Sequence, residues 1–322
     1  MKLSERMKKE KASDWIVEPS KTEFSVLGGT SKKKENSVAK TFSETIEKFN
    51  PYHDRRGRFT TASGAASFTI RTKGGYNQSL ADKAIEREKQ RTGGDGAAKI
   101  KQAEDDLRSV LKEGAVVKFD GMDANLAQET TDSIKRVIDK YPTCKDAFGG
   151  FTTEDPRPGY FAESDNKAMA CYSPRTGVIH LNKAFYSDKE GFEKRFAESV
   201  EKQFHPKGVD YNSVVVHEMG HAIDAYVSRK IFHGWDFAMG QRCSSDIWNA
   251  DLKKYRKKLG LAKDEAFSSK VIREDLSGYA AKNHLEYLAE GFSEVMCSSN
   301  PRPAAKSIVK RLENRMKKME VD

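Results

Sequence analysis

Apolar positions are sparse and irregular up to about Glu113, and only beyond that point do they settle into helical and strand periods. The first part is interrupted by Leu27-Gly28-Gly29-Thr30, Lys32-Lys33-Lys34, Gly74-Gly75 and Gly93-Gly94-Asp95-Gly96, a pattern of turns and open chain. Short helices are expected at 37–48, 79–91 and 97–112, each with a thin apolar face that needs a partner to bury it. From Ala115 the run Ala-Val-Val-Lys-Phe predicts a strand. A helix is expected over 123–141, where Leu126, Ile134, Val137 and Ile138 recur near helical spacing and Pro142 stops it. Residues 149–173 read as loop, and 176–182 as a β-branched strand bounded by turn residues. Helical patterns then dominate, at 189–203, 211–230, 244–259, 263–276, 278–297 and 304–319. The fold class is α+β, mostly α. The chain divides into a loosely structured arm, 1–114, and a compact domain, 115–322.

Charge sharpens this division. The chain of 322 residues carries +9, and residues 1–60 hold 14 Lys and Arg against 9 Asp and Glu. Residues 116–322 have 33 against 31, so basicity is concentrated in the arm. A surplus of +5 without interleaved aromatic residues argues against a nucleic-acid partner. With 33% charged residues and a mean hydropathy of −0.75, no window approaches the length of apolar chain that spans a bilayer, so no membrane partner is expected. The charged N-terminus is not followed by the apolar run of a signal peptide. Cys144, Cys171, Cys243 and Cys297 are widely spaced and are expected as free thiols.

The strongest chemical signal is His217-Glu218-Met219-Gly220-His221 within an apolar stretch. On a helix, histidines four apart share one face and can hold one metal ion, while Glu218 beside the first of them is placed to act on water as a general base. A tetrahedral zinc site needs a third protein ligand. The helix expected at 278–297 offers Glu286, Glu290 and Glu294 on one stripe among apolar neighbours. One acid could bind the metal while the next, a turn away, accepts a hydrogen bond from a ligand histidine and orients it.

This pairing of helices resembles the gluzincin zinc metallopeptidases, and Tyr279…Asn283…Glu286-Tyr287-Leu288-Ala289-Glu290-Gly291-Phe292 is similar to the catalytic domain of the anthrax lethal factor family. The resemblance covers residues 175–297. It implies a zincin-like domain with a small sheet and an edge strand, Zn2+ held by His217, His221 and Glu286, and a protein or peptide substrate. It also implies Glu218 as base, Tyr279 as oxyanion donor and Glu290 as support for a ligand. A thermolysin-type alignment would instead make Glu290 the ligand and Glu294 its support; Tyr279, seven residues before Glu286, favours the first. In zincins the edge strand binds extended peptide, and 178–182 is the expected counterpart here, with His180 as an ordinary strand residue. His205, in a turn before the metal helix, is expected to bond backbone and stays outside the site. His233 and His284 have no motif support.

The segment Phe49-Asn50-Pro51-Tyr52-His53-Asp54-Arg55-Arg56-Gly57-Arg58-Phe59-Thr60, within 49–70, is similar to one that recurs in phage head-morphogenesis and minor capsid proteins. It implies an arm that docks to capsid or portal proteins, and a place in the virion or the host cytoplasm. Two functions from different classes follow: a zinc endopeptidase carried by a phage, for assembly or as a toxin-like effector, or a non-catalytic minor head protein with an idle zincin module.

Overall fold

The computed structural model describes residues 16–17, 95–154, 168–232, 242–262 and 267–319. The helices expected at 37–48 and 79–91, the phage-like segment and His233 lie outside the described residues.

Ile16–Val17 (β1) pairs antiparallel with Phe267–Ser268 (β6). Between and after them, in chain order, come α1 (Gly96–Val110), β2 (Val116–Lys118), α2 (Ala124–Lys140), a 3-10 turn (Pro142–Ala147), β3 (Gly150–Glu154), β4 (Ala170–Tyr172) and β5 (Val178–Asn182). The remaining helices are α3 (Lys183–Tyr186), α4 (Lys189–Glu201), α5 (Ser213–Phe232), α6 (Arg242–Leu259), α7 (Lys270–Asp275), α8 (His284–Cys297) and α9 (Pro303–Met319). The mostly helical α+β architecture read from sequence is the one found.

The helices start where their caps dictate. Asp123 accepts from the backbone N–H groups of Asn125 and Leu126 and begins α2, whose Leu126, Ile134, Val137 and Ile138 are all buried. Asn283 does the same for Leu285 and Glu286, so α8 begins at His284 rather than at Gly278, and residues 278–283 form a turn. Of the helix expected at 263–276, the described residues 267–276 are helical over 270–275. The arm's expected helix at 97–112 exists as α1, and its buried Ala103 and Leu107 join the same core as α2.

The sheet has the order β2-β3-β5-β4. β2, β3 and β5 run parallel, and β4 runs antiparallel to β5. This corrects the sequence reading on two points. The stretch 149–173, expected as loop, contains β3 and β4, and the edge strand beside the helices is therefore β4, not 178–182. The physical reason is composition and length: β3 opens on Gly150 and is mostly polar (Gly-Phe-Thr-Thr-Glu), and β4 has only three residues, so neither shows a period, yet β3 is buried almost throughout.

The central pair is α5 and α8. α5 buries Val214, Val215, Val216, Met219, Ala222, Ile223 and Val227, more than one face of a helix. Gly220 brings the two helices together: a Cβ there would stand 3.2 Å from the Cα of Ala289 and 3.4 Å from the Cβ of Phe292. Charge is also sorted by the fold. The packed pair α6 and α9 carries six cations against two acids and six against one, so the near-neutral balance of 116–322 hides a basic pair of helices within a more acidic domain.

Candidate metal centre

α5 carries His217 and His221 one turn apart on the side that faces α8, and the Asn283 cap sets Glu286 in the first turn of α8 opposite them. Three donor atoms converge. His217 Nε2 lies 3.1 Å from His221 Nε2 and 3.1 Å from Glu286 Oε2, and His221 Nε2 lies 3.3 Å from Glu286 Oε2. A tetrahedral ion with bonds of about 2.0–2.1 Å requires edges of about 3.3–3.4 Å between its ligand atoms. The triangle matches one face of such a tetrahedron to within a few tenths of an ångström. Among the described residues this is the one group of histidine, cysteine and acid donors gathered closely enough to hold a metal ion. His217 and Glu286 are buried, while His221 keeps 17% of its side chain exposed and marks the open side.

The polarity of His217 is set from behind. Its Nδ1 lies 2.9 Å from Glu290 Oε1. Glu290 is held ionised, because His205 and His217 outweigh the burial that would raise its pKa. A ring nitrogen facing a carboxylate donates, so the neutral imidazole turns its Nε2 lone pair into the triangle. That lone pair would repel the Glu286 oxygen unless a cation or a proton lies between them. Burial alone would lower the pKa of His217, but Glu286 and Glu290 prevail and push it up to about 10. Glu286 is held well below the usual carboxylate range: its two histidine partners outweigh burial. This donor set attracts positive charge.

Glu218 is 4% exposed and sits beside the triangle on α5. Its Oε2 accepts the Tyr172 N–H at 2.8 Å, which ties it to the edge strand β4. Burial pushes its pKa up, against the charges of His221 and His217, and so brings its proton affinity towards the range useful to a base. Tyr279 is fully buried with its ring 5.5 Å from that of His217. Glu294 belongs elsewhere: the Arg302 fork holds both its oxygens, with Nε at 2.9 Å and an Nη at 2.7 Å. Glu290 on Nδ1 and Glu294 on Arg302 leave Glu286 as the carboxylate of the triangle.

The other histidines separate clearly. His180 bonds Thr152 through Nδ1 at 3.1 Å, and His284 bonds Ser244 at 3.0 Å. His205, expected as a turn residue outside the site, is buried with its Nδ1 3.9 Å from Glu290 Oε1. Sequence reasoning missed Ser277, whose hydroxyl donates to Glu290 Oε2 at 2.6 Å, and Tyr172, which acts through its backbone; neither lies in a motif.

No protein-family model and no curated protein matches the chain. Its function has to be read from the donor geometry.

Proposed function

We propose that the chain is a zinc-dependent endopeptidase. The observation that carries this reading is the His217, His221, Glu286 triangle with Glu218 next to it. Two imidazoles and one carboxylate at these separations suit zinc and leave a fourth position for water or substrate. When bound, zinc supplies Lewis acidity to a peptide carbonyl and makes water more acidic.

The residues divide the remaining work. Glu218 takes a proton from the attacking water and returns it to the departing amine, its second oxygen steadied by the Tyr172 N–H. Tyr279, beside His217, donates to the oxyanion. Glu290 keeps His217 in the tautomer that binds through Nε2. The edge strand β4 offers extended peptide a pairing surface. The arm, through the segment that resembles phage head proteins, attaches the enzyme to a virion, where it serves assembly or is delivered as an effector.

The test is metal content and cleavage on the same preparations. Wild type should hold one equivalent of zinc and cut a degenerate peptide library; His217→Ala and Glu286→Ala should lose both. Zinc retained in Glu286→Ala would overturn the ligand set. Full metal in wild type without cleavage of any peptide would favour the idle module.

A further inference from the structure

Glu290 is restrained at both oxygens, one by His217 of the triangle and the other from outside it. Oε1 faces His217 Nδ1 at 2.9 Å, while Oε2 accepts the Ser277 hydroxyl at 2.6 Å. Ser277 is itself oriented, since its Oγ accepts the Ala280 N–H at 2.9 Å. On the same side lies His205, with Nδ1 3.9 Å from Glu290 Oε1: too long for a hydrogen bond, close enough for its ring to act electrostatically on the carboxylate. His205 is fixed by stacking on Phe196, with centroids 4.9 Å apart and planes at 5°, and by an edge contact with Phe204. His205, Ser277 and Glu290 are each at most 1% exposed.

Two distant segments are laced together to build this arrangement. The Gly278 N–H donates to Gln203 O at 2.8 Å and the Tyr279 N–H to Phe204 O at 3.1 Å. The turn after α4 is thereby pinned to the turn before α8. Gln203 takes a left-handed conformation, φ 56°, which reverses the chain at the end of α4 and is held against its local cost by these two bonds. Gly278 suits the close approach, because a Cβ there would stand 3.2 Å from Gln203 O.

We infer that Ser277 and His205 are positioning residues for the metal-binding ring of His217, acting through Glu290. This deepens the proposed function and rests on its metal triangle. With both oxygens restrained, Glu290 has one orientation available, and the His217 Nδ1–H follows it. Nε2 is then aimed at Glu286 and His221 before any ion arrives, and only its proton has to leave for the ion to bind. Neither residue touches the triangle, so the effect of each depends on Glu290 being present as a carboxylate.

A double-mutant cycle on the full chain tests this, with zinc affinity read by competition against a chromophoric chelator. Ser277→Ala and His205→Phe, the latter keeping an aromatic ring to stack on Phe196, should each weaken zinc binding about tenfold. Ser277→Thr, which keeps the hydroxyl, should restore the affinity. In a Glu290→Gln background the same two changes should have no further effect, because the intermediary is gone. The visible absorption of the Co2+-substituted protein should change in Ser277→Ala and in His205→Phe. Unchanged affinity in both single variants, or losses that simply add to that of Glu290→Gln, would overturn the inference and leave the metal site standing. A wild type that binds no zinc would overturn both. Should Ser277→Ala fail to fold, His205→Phe and its cycle with Glu290→Gln decide the matter.

Discussion

The backbone N–H of Tyr172 donates to Oε2 of Glu218 across 2.8 Å, and so joins the edge strand of the sheet to the acid next to the metal triangle. β4 and α5 are thereby joined through the side chain proposed above as the base. One oxygen of Glu218 is thus committed to structure, which leaves the other for the proton transfer proposed for it.

Glu218→Gln preserves an acceptor for Tyr172 while abolishing the base. It should keep one equivalent of zinc and a wild-type melting temperature but lower peptide cleavage at least about 10²-fold. Metal analysis and a peptide assay on one sample check this; full-rate cleavage would remove Glu218 from the chemistry.

Zinc binding should displace a proton. The hydrogen bonds to Glu286 and Glu290 that lift His217 to about 10 leave the metal-free ring protonated at pH 7, and a metal ligand must be neutral. Apparent affinity should therefore rise by roughly tenfold per pH unit between pH 6 and 9. Calorimetry in buffers of different ionisation enthalpy should register about one proton released per zinc. Removing the metal with a chelator should lower the melting temperature in proportion to the lost binding term.

Asp224 gives stability a pH dependence of its own. Burial raises its carboxyl to about 6 from the ordinary 3.8, against hydrogen bonds from Ser244 and Ser228. The folded state thus holds the proton more tightly, so the contribution is complete below about pH 4 and is lost as pH rises through 6. In chelator-treated protein this loss should reach roughly 3 kcal/mol at pH 7.5. Urea midpoints of wild type and Asp224→Asn across that range should diverge with this slope; parallel curves would refute it.

Gly220→Val should destabilise by about 1–3 kcal/mol, since even the first added carbon would stand 3.2 Å from the α8 backbone at Ala289. Forcing α5 from α8 also opens the triangle, so zinc affinity should fall with stability. Thermal melts with and without zinc would separate the two effects.

Arg302→Ala leaves Glu294, fully buried, without its guanidinium partner and should cost about 3–5 kcal/mol. Zinc content should not change, because Glu294 belongs to the α9 entry and not to the metal. Replacing both, with Glu294→Leu and Arg302→Met, should cost far less than the single change. A loss of zinc in Arg302→Ala protein that remains folded would contradict this placement.

Much of this could be read along the chain. His217, Glu218 and His221 lie within one helical turn, so their shared face follows from helix geometry alone. The acidic stripe of α8 follows from the same period. The strands were harder. β5 has a run of apolar and β-branched residues bounded by turns, whereas β3 is mixed in composition and β4 short, and their neighbours in the sheet identify them. For that reason β5, an inner strand, reads from sequence as the edge.

Periodicity and motif spacing by themselves determined the longer helices among the described residues, the mostly α class and the histidine pair, because each depends on residues within one or two turns. Tertiary structure alone decided which acid completes the triangle, that Glu290 lies behind His217 while Glu294 turns to Arg302, and that Ser277 and His205 stand behind Glu290. Those assignments depend on how α8 is rotated and slid against α5, which is set by the Gly220 contact and the Asn283 cap acting together. Contacts between residues about 70 positions apart, such as His217 and Glu286, are fixed by packing across the core and leave no period in the sequence.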